Sequence, residues 1–165
     1  MQPEARSGPM NGAATHPLAE LLACPPAVGS LLNGSAQCID FDAGDTIFRQ
    51  GEAGRGLYVV VSGQLQRRAE RMDTRITLGS ARAGELVELA AALGDGVHTY
   101  TLRAQTTGSL LLLPIEALRL AFKTYPPLRM QLLEELAREV SRAYHACCVT
   151  RAVGIRRHGN CAPPA

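Results

Sequence analysis

The sequence predicts a mainly β fold: a β-roll of jelly-roll type with flanking helices, followed by a long C-terminal helix. Three observations carry that prediction. In residues 41–66, FDAGDTIFRQGEAGRGLYVVVSGQLQ, the glycines Gly44, Gly51 and Gly63 each close one short run and open the next, and Gly84 serves as a further turn. Glycine tolerates positive φ and close backbone approach, so these positions read as corners rather than as a linker. Seven or eight short runs rich in Val, Ile, Leu, Thr and Tyr, separated by Gly, Asp or Ser, suggest a barrel or roll. Pro114, Pro126 and Pro127 then mark a change from strand spacing to helix spacing.

The elements follow in order. Residues 1–15 carry both charge signs, Gly and Pro, and no compact apolar stretch, which predicts a disordered leader rather than a signal peptide. HPLAELLA predicts a short helix ended by Pro25 and Pro26, and AVGSLL a second apolar turn. The runs AQCIDF, TIFR, LYVVV, QLQRRAE, RITLG, TYTLRAQ and SLLLL read as strands, and IEALRLAF, opened by Pro114, as a helix. Residues 127–150 form the long helix. There Leu133, Leu136, Val140, Ala143 and Cys147 alternate steps of three and four, while Glu134, Arg138, Glu139 and Arg142 take the other faces. Such a seam serves either to pack the helix on its own roll or to pair it with a second copy. Residues 151–165, with Gly154, Gly159 and a Pro-Pro pair, predict a helix end near Val153 and a flexible tail, leaving residues 16–150 as the folded unit.

A chain of 165 residues with 46% hydrophobic content is long enough for one domain with its own core. A formal charge of +2 gives no support for wholesale nucleic-acid binding. No apolar run reaches the roughly 18 residues a membrane span needs. Five cysteines at irregular spacing argue against a secreted disulfide framework and for free thiols in the cytoplasm.

The turns Gly44-Asp45 and Gly51-Glu52 and the run LYVVVSG ending at Gly63 together resemble the start of the cyclic-nucleotide-binding domain of the Crp/Fnr regulator family. Weaker matches extend over residues 36–144. The resemblance implies a cyclic-nucleotide-binding-type β-roll (a double-stranded β-helix), a homodimer formed through the following helix, and a regulatory, non-enzymatic role in signal transduction or transcription. In the family a Glu holds the ribose hydroxyl of the nucleotide, and an Arg with a small hydroxyl residue holds its phosphate. In AGELVELAAALGDGVHTYTLRA, with one residue deleted, Glu88 falls on that Glu, Val87 on the glycine before it, His98 on the Arg and Thr99 on the hydroxyl residue. The resemblance thus implies cAMP or cGMP as the small-molecule effector, with Glu88, His98 and Thr99 as its ligands and no further cofactor.

His98 departs from that pattern. A guanidinium offers a permanent charge and a planar fork matched to phosphate, so replacing it forfeits about 1.5–3 kcal/mol and counts against ordinary cAMP binding. A second alignment, to the Fnr side of the family, gives Glu88 no ribose role and leaves His98 and Thr99 as strand-end residues. After Thr150 too few residues remain for a helix-turn-helix reader, so the chain resembles the sensor half of such regulators and makes no DNA contact by itself.

Other groupings are weaker. HACC at residues 145–148 and HGNC at 158–161 bring two imidazoles and three thiols into reach of each other, but at no standard zinc spacing, and cysteine packs well as a small hydrophobe. Arg67, Arg68, Arg71 and Arg75 are interleaved with Glu70 and Asp73, which reads as a solvated hairpin. No nucleophile has a credible base and no phosphate loop is present. The alternative to an effector sensor is a protein with no ligand, whose helix pairs with a full-length Crp/Fnr regulator.

Overall fold

The computed structural model describes residues 17–156; residues 1–16 and 157–165 lie outside the described residues, as do the side chains of Ala146, Cys147 and residues 149–156. Two short helices come first, α1 (Pro17–Leu21) and α2 (Pro26–Ser35). Pro26 sits in the first turn of α2, where a missing N–H costs nothing, so the proline pair opens a ten-residue helix as well as closing the turn before it. The strands are β1 (Gln37–Phe41), β2 (Thr46–Phe48), β3 (Gly56–Ser62), β4 (Gln64–Arg71), β5 (Thr74–Arg82), β6 (Leu86–Val87), β7 (Thr101–Ala104) and β8 (Gly108–Pro114). Between β6 and β7 lies a single turn and a half of helix, α3 (Leu89–Leu93); α4 (Ile115–Thr124) and α5 (Pro127–Arg156) complete the chain.

The strands form two antiparallel four-stranded sheets, ordered β1-β8-β3-β6 and β2-β7-β4-β5. This is the β-roll the glycine-punctuated runs predict. Side chains alternate across a strand, and β3 uses both faces. Tyr58 and Val60 enter the core between the sheets with Phe41, Phe48, Leu65 and Leu102, whereas Leu57 and Val59 enter a second core with the helices. β8 does the same, sending Leu110 and Leu112 inward and Leu113 outward. That double burial is why LYVVV and SLLLL are continuous apolar runs rather than alternating ones. The second core gathers Leu18 and Leu22 with Val28 and Leu32 of α2, Leu118 of α4, and Leu128 and Leu132 of α5.

Among the described residues no helix is long and apolar enough to cross a membrane. Helix α5 continues through Arg156, past the end expected near Val153, so residues 151–156 are helical rather than part of a tail. One interior glycine, Gly154, costs about 1 kcal/mol against alanine, too little to stop a helix of this length.

Gly44, Gly51, Gly63 and Gly84 have φ of 95°, 83°, 85° and 87°. Gly63, between β3 and β4, is constrained twice over: a Cβ there would lie 2.8 Å from Thr107 O and 3.0 Å from Gly108 Cα, both backbone atoms that cannot swing away. A Cβ on Gly84 would meet nothing within 4 Å. Gly84→Ala is therefore expected to cost only the left-handed penalty, about 1–2 kcal/mol, and Gly63→Ala a further 1–3 kcal/mol or so of overpacking. Urea unfolding of the two variants checks the order, and equal losses would contradict it.

Candidate functional site

The polypeptide between β6 and β7 supplies a buried polar knot. Glu88 takes a left-handed conformation, φ 70° and ψ 37°, just before α3, which costs a residue with a Cβ about 1–2 kcal/mol. Its surroundings hold it there. The Glu88 N–H donates to the Tyr100 hydroxyl at 3.0 Å, and its carboxylate receives three donors. His98 Nδ1 donates to Oε2, the Thr99 N–H donates to the same oxygen at 3.3 Å, and Thr99 Oγ1 donates to Oε1 at 3.1 Å. Glu88 is 1% exposed and His98 3%. Burial pushes the Glu88 carboxyl above its usual range, and the bonds from His98 and Thr99 oppose that rise.

The imidazole of His98 points into the roll, stacked on Phe48 with ring centroids 3.8 Å apart and planes 5° from parallel. Its backbone is tied to the turn after β2: the His98 N–H donates to Glu52 O, and the Gly51 N–H to His98 O, both at 2.9 Å. The three residues picked out in the sequence, Glu88, His98 and Thr99, are thus brought together, but they satisfy one another.

Beside the knot, between the sheet carrying β4 and β5 and the inner face of α5, lies a cavity of about 780 Å³. Glu88, Thr99 and Tyr100 reach its wall from the roll, and Gln131, Leu136, Glu139, Val140 and Ala143 from α5. Arg67 of β4 also lines it, with its side chain only 12% exposed. This corrects the reading of residues 64–75 as a solvated hairpin. Leu65 is fully buried, and two residues on, Arg67 shares its face, so alternation carries the arginine inward. Its guanidinium lies 6.0 Å from the centre of the Tyr100 ring and 3.5 Å, at Nε, from Glu139 Oε1. Burial lifts the Tyr100 hydroxyl well above its ordinary pKa.

Helix α5 presents two apolar faces. Leu128, Leu132 and Leu136 pack on the molecule's own core. Met130, Leu133, Val140 and Tyr144 are exposed, and with Ala137 they repeat in steps of three and four. The five-residue seam read from sequence therefore straddles two faces: Leu133 faces outward, Val140 is exposed at the rim of the cavity, and Leu136 and Ala143 are partly buried toward it. Steps of three and four fit both faces, and only packing separates them. The side chain of Cys147 lies outside the described residues, as do His158 and Cys161. Among the described residues no group of three His, Cys, Asp or Glu side chains could hold a metal ion.

Burial also raises the Glu139 carboxyl above its ordinary 4.5, against the opposing pull of Arg67. A carboxyl whose folded value is raised contributes stability that is complete below the ordinary value and is lost as pH rises through the raised one. Wild type is therefore expected to lose stability relative to Glu139→Gln as pH rises above the ordinary carboxyl range. Urea unfolding across that rise measures the difference, and one that stays flat or changes in the opposite direction would refute it.

No curated protein sequence matches the chain. Solved structures do. The catabolite activator protein of Thermus thermophilus is 25% identical with a TM-score of 0.66, over 77% of this chain and 60% of that one. The N-terminal domain of a transcriptional regulator from Streptomyces coelicolor A3(2) is 27% identical with a TM-score of 0.58, over 77% of this chain and 91% of that one. The sensor domain of the transcriptional regulator DNR from Pseudomonas aeruginosa shares the fold, at 22% identity and a TM-score of 0.64, over 78% and 85% of the two chains. The family model described as the cyclic nucleotide-binding domain matches residues 38–125, from β1 to the end of α4. With that match over more than half its length and with the roll, cavity and long helix in place, the chain belongs to the cyclic nucleotide-binding domain family, in the form found in Crp/Fnr-type regulators.

Proposed function

We propose that the chain is an effector-sensing domain that passes the state of its cavity to α5, and through α5 to a second copy. The observation that supports this reading most directly is the position of the cavity, walled by the roll on one side and by α5 on the other, with Glu139 of the helix reaching to Arg67 of β4. A ligand changes the helix only by preferring one of its positions, and a cavity that borrows part of its wall from the helix meets that condition. A regulatory role of this kind goes with a cytoplasmic location.

A cyclic nucleotide held in the family's manner fits this chain poorly. Glu88 would have to give up the His98 and Thr99 donors to accept a ribose hydroxyl, and a buried carboxylate stripped of its donors is costly. The imidazole that stands at the arginine position is packed flat on Phe48 and does not reach into the cavity. The knot reads as structure, and the effector as something other than cAMP or cGMP.

The exposed stripe on α5 suits a homodimer, since five positions in steps of three and four match a coiled-coil seam. The alternative, a ligand-free protein that pairs with a full-length regulator, would use the same stripe, and co-purification of such a regulator from the native cell would favour it.

Two outcomes are expected. Calorimetric titration with cAMP and with cGMP should give no heat at micromolar concentration; tight binding that disappears in Glu88→Ala would show instead that the carboxylate serves a ribose. In sedimentation equilibrium the wild-type chain should be a dimer, and Tyr144→Glu, at a position 68% exposed and outside the cavity wall, should raise the dissociation constant at least about tenfold without altering the fold. A monomeric wild type would remove the dimer from this reading.

A further inference from the structure

The cavity wall carries a polar feature that the Glu88 knot does not use. Among the described residues, two buried side-chain polar atoms have no hydrogen-bond partner, Arg67 Nε and Gln131 Oε1, and both residues line this one cavity. Buried polar atoms are nearly always satisfied, so two exceptions on residues of one cavity wall need a reason. The Arg67 guanidinium donates one hydrogen bond, from Nη1 to Ser80 O at 2.9 Å. Its acidic neighbours stay farther off, Glu139 Oε1 at 3.5 Å and Glu85 Oε2 at 3.6 Å. Five N–H donors in a planar fork suit a bidentate oxyanion, and here only Nη1 has a close carbonyl partner, while Nε and Nη2 face carboxylates at longer range and the Tyr100 hydroxyl shares the guanidinium. The other arginines of the wall are engaged elsewhere: Arg138 and Arg142 pair with Glu135 at 2.7 and 3.0 Å.

We propose that Arg67 anchors a small effector with an apolar body and a single oxyanion, which competes with Glu139 for the guanidinium and so loosens α5 from β4. This rests on the effector-sensing reading and gives the effector its chemistry. Leu22, Leu89, Leu136 and Val140 in the wall offer the apolar body its surface. A single charge fits because Glu85 and Glu139 stand beside Arg67 and would repel a more highly charged guest. At 3.5 Å the Glu139 contact is longer than a close charge-assisted hydrogen bond, so an oxyanion seated nearer the guanidinium would displace it. The event at Arg67 is one of local charge, and its readout is the position of a long helix.

The test uses the full chain and three probes. Octanoate supplies the apolar body with one carboxylate, octanamide the same body without charge, and cAMP a cyclic phosphodiester. Octanoate should bind roughly ten- to a hundredfold more tightly than octanamide, and Arg67→Met should abolish that preference. Glu139→Gln should tighten octanoate, because the competing carboxylate is gone; it also serves as the control should Arg67→Met fold poorly. Octanoate should further speed amide hydrogen exchange in α5 around Glu139, whereas Glu139→Gln should exchange fast without it. Equal binding of octanoate and octanamide would overturn the anchor while leaving an effector cavity in place. Binding of cAMP that survives Arg67→Met and is lost in Glu88→Ala would overturn it in favour of the cassette. No binding of octanoate or octanamide at millimolar concentration, with α5 exchange unchanged, would overturn the anchor and the effector-sensing reading together.

Discussion

Burying the carboxylate of Glu88 is the constraint from which much of this structure follows. A charged group taken out of water must find partners, and each partner of Glu88 is fixed in turn by something else. Thr99 gives two donors from the start of the segment leading into β7, His98 is stacked on Phe48 and tied to the β2 turn through Gly51 and Glu52, and Tyr100 receives the Glu88 N–H. The left-handed corner at Glu88 persists because these bonds over-determine it. One carboxylate thus links β6, α3, the β2 turn and β7. Tyr100 carries the link onward, since its ring underlies the Arg67 guanidinium that meets α5.

Helix α5 is held unevenly. Its start is anchored by apolar burial, with Leu128 fully buried and Leu132 nearly so. Further along, contact with the roll passes to polar groups, with Glu135 and Glu139 facing the cavity and Leu136 partly buried. An apolar anchor followed by a polar mid-section holds the first turns more strongly than the later ones, because a charge pair partly open to water is weaker than a buried leucine. The exposed stripe runs along both regions, so in the proposed sensor a change in helix angle would alter how Val140 and Tyr144 are presented.

Much of the fold was legible in the sequence. Glycines at the corners and the apolar runs of β3 and β8 gave the roll, and Pro114 and Pro127 gave the last two helices. Two short elements were not legible: β6 and α3 are too short for any period to show, and both lie where the sequence resembles a ligand cassette. The site was half legible. Glu88, His98 and Thr99 could be named from their order, but whether a carboxylate faces a ligand or its own neighbours depends on rotamers that spacing does not encode. Arg67 was hidden among four arginines of a hairpin. Its signal was the alternation from Leu65, easily overlooked because the register shifts between Arg67 and Arg68 and the outer half of the hairpin is indeed solvated. The two faces of α5 overlap at Leu133 and Val140 in any three-four count, so one seam was read where there are two surfaces.

If α5 carries both a cavity wall and a pairing surface, the two are thermodynamically bound to each other. Whatever free energy a guest in the cavity spends in moving the helix must reappear as a change in pairing affinity, and pairing must change the affinity for the guest by the same factor. The size of that coupling is limited by what differs between the two helix positions. Here that difference is the Arg67–Glu139 contact and the partial burial of Leu136, interactions of modest strength rather than a large apolar interface. A tight internal knot at Glu88 serves this arrangement better than a labile one would. By keeping the roll rigid, it leaves α5 as the part free to answer a change of charge beside Arg67.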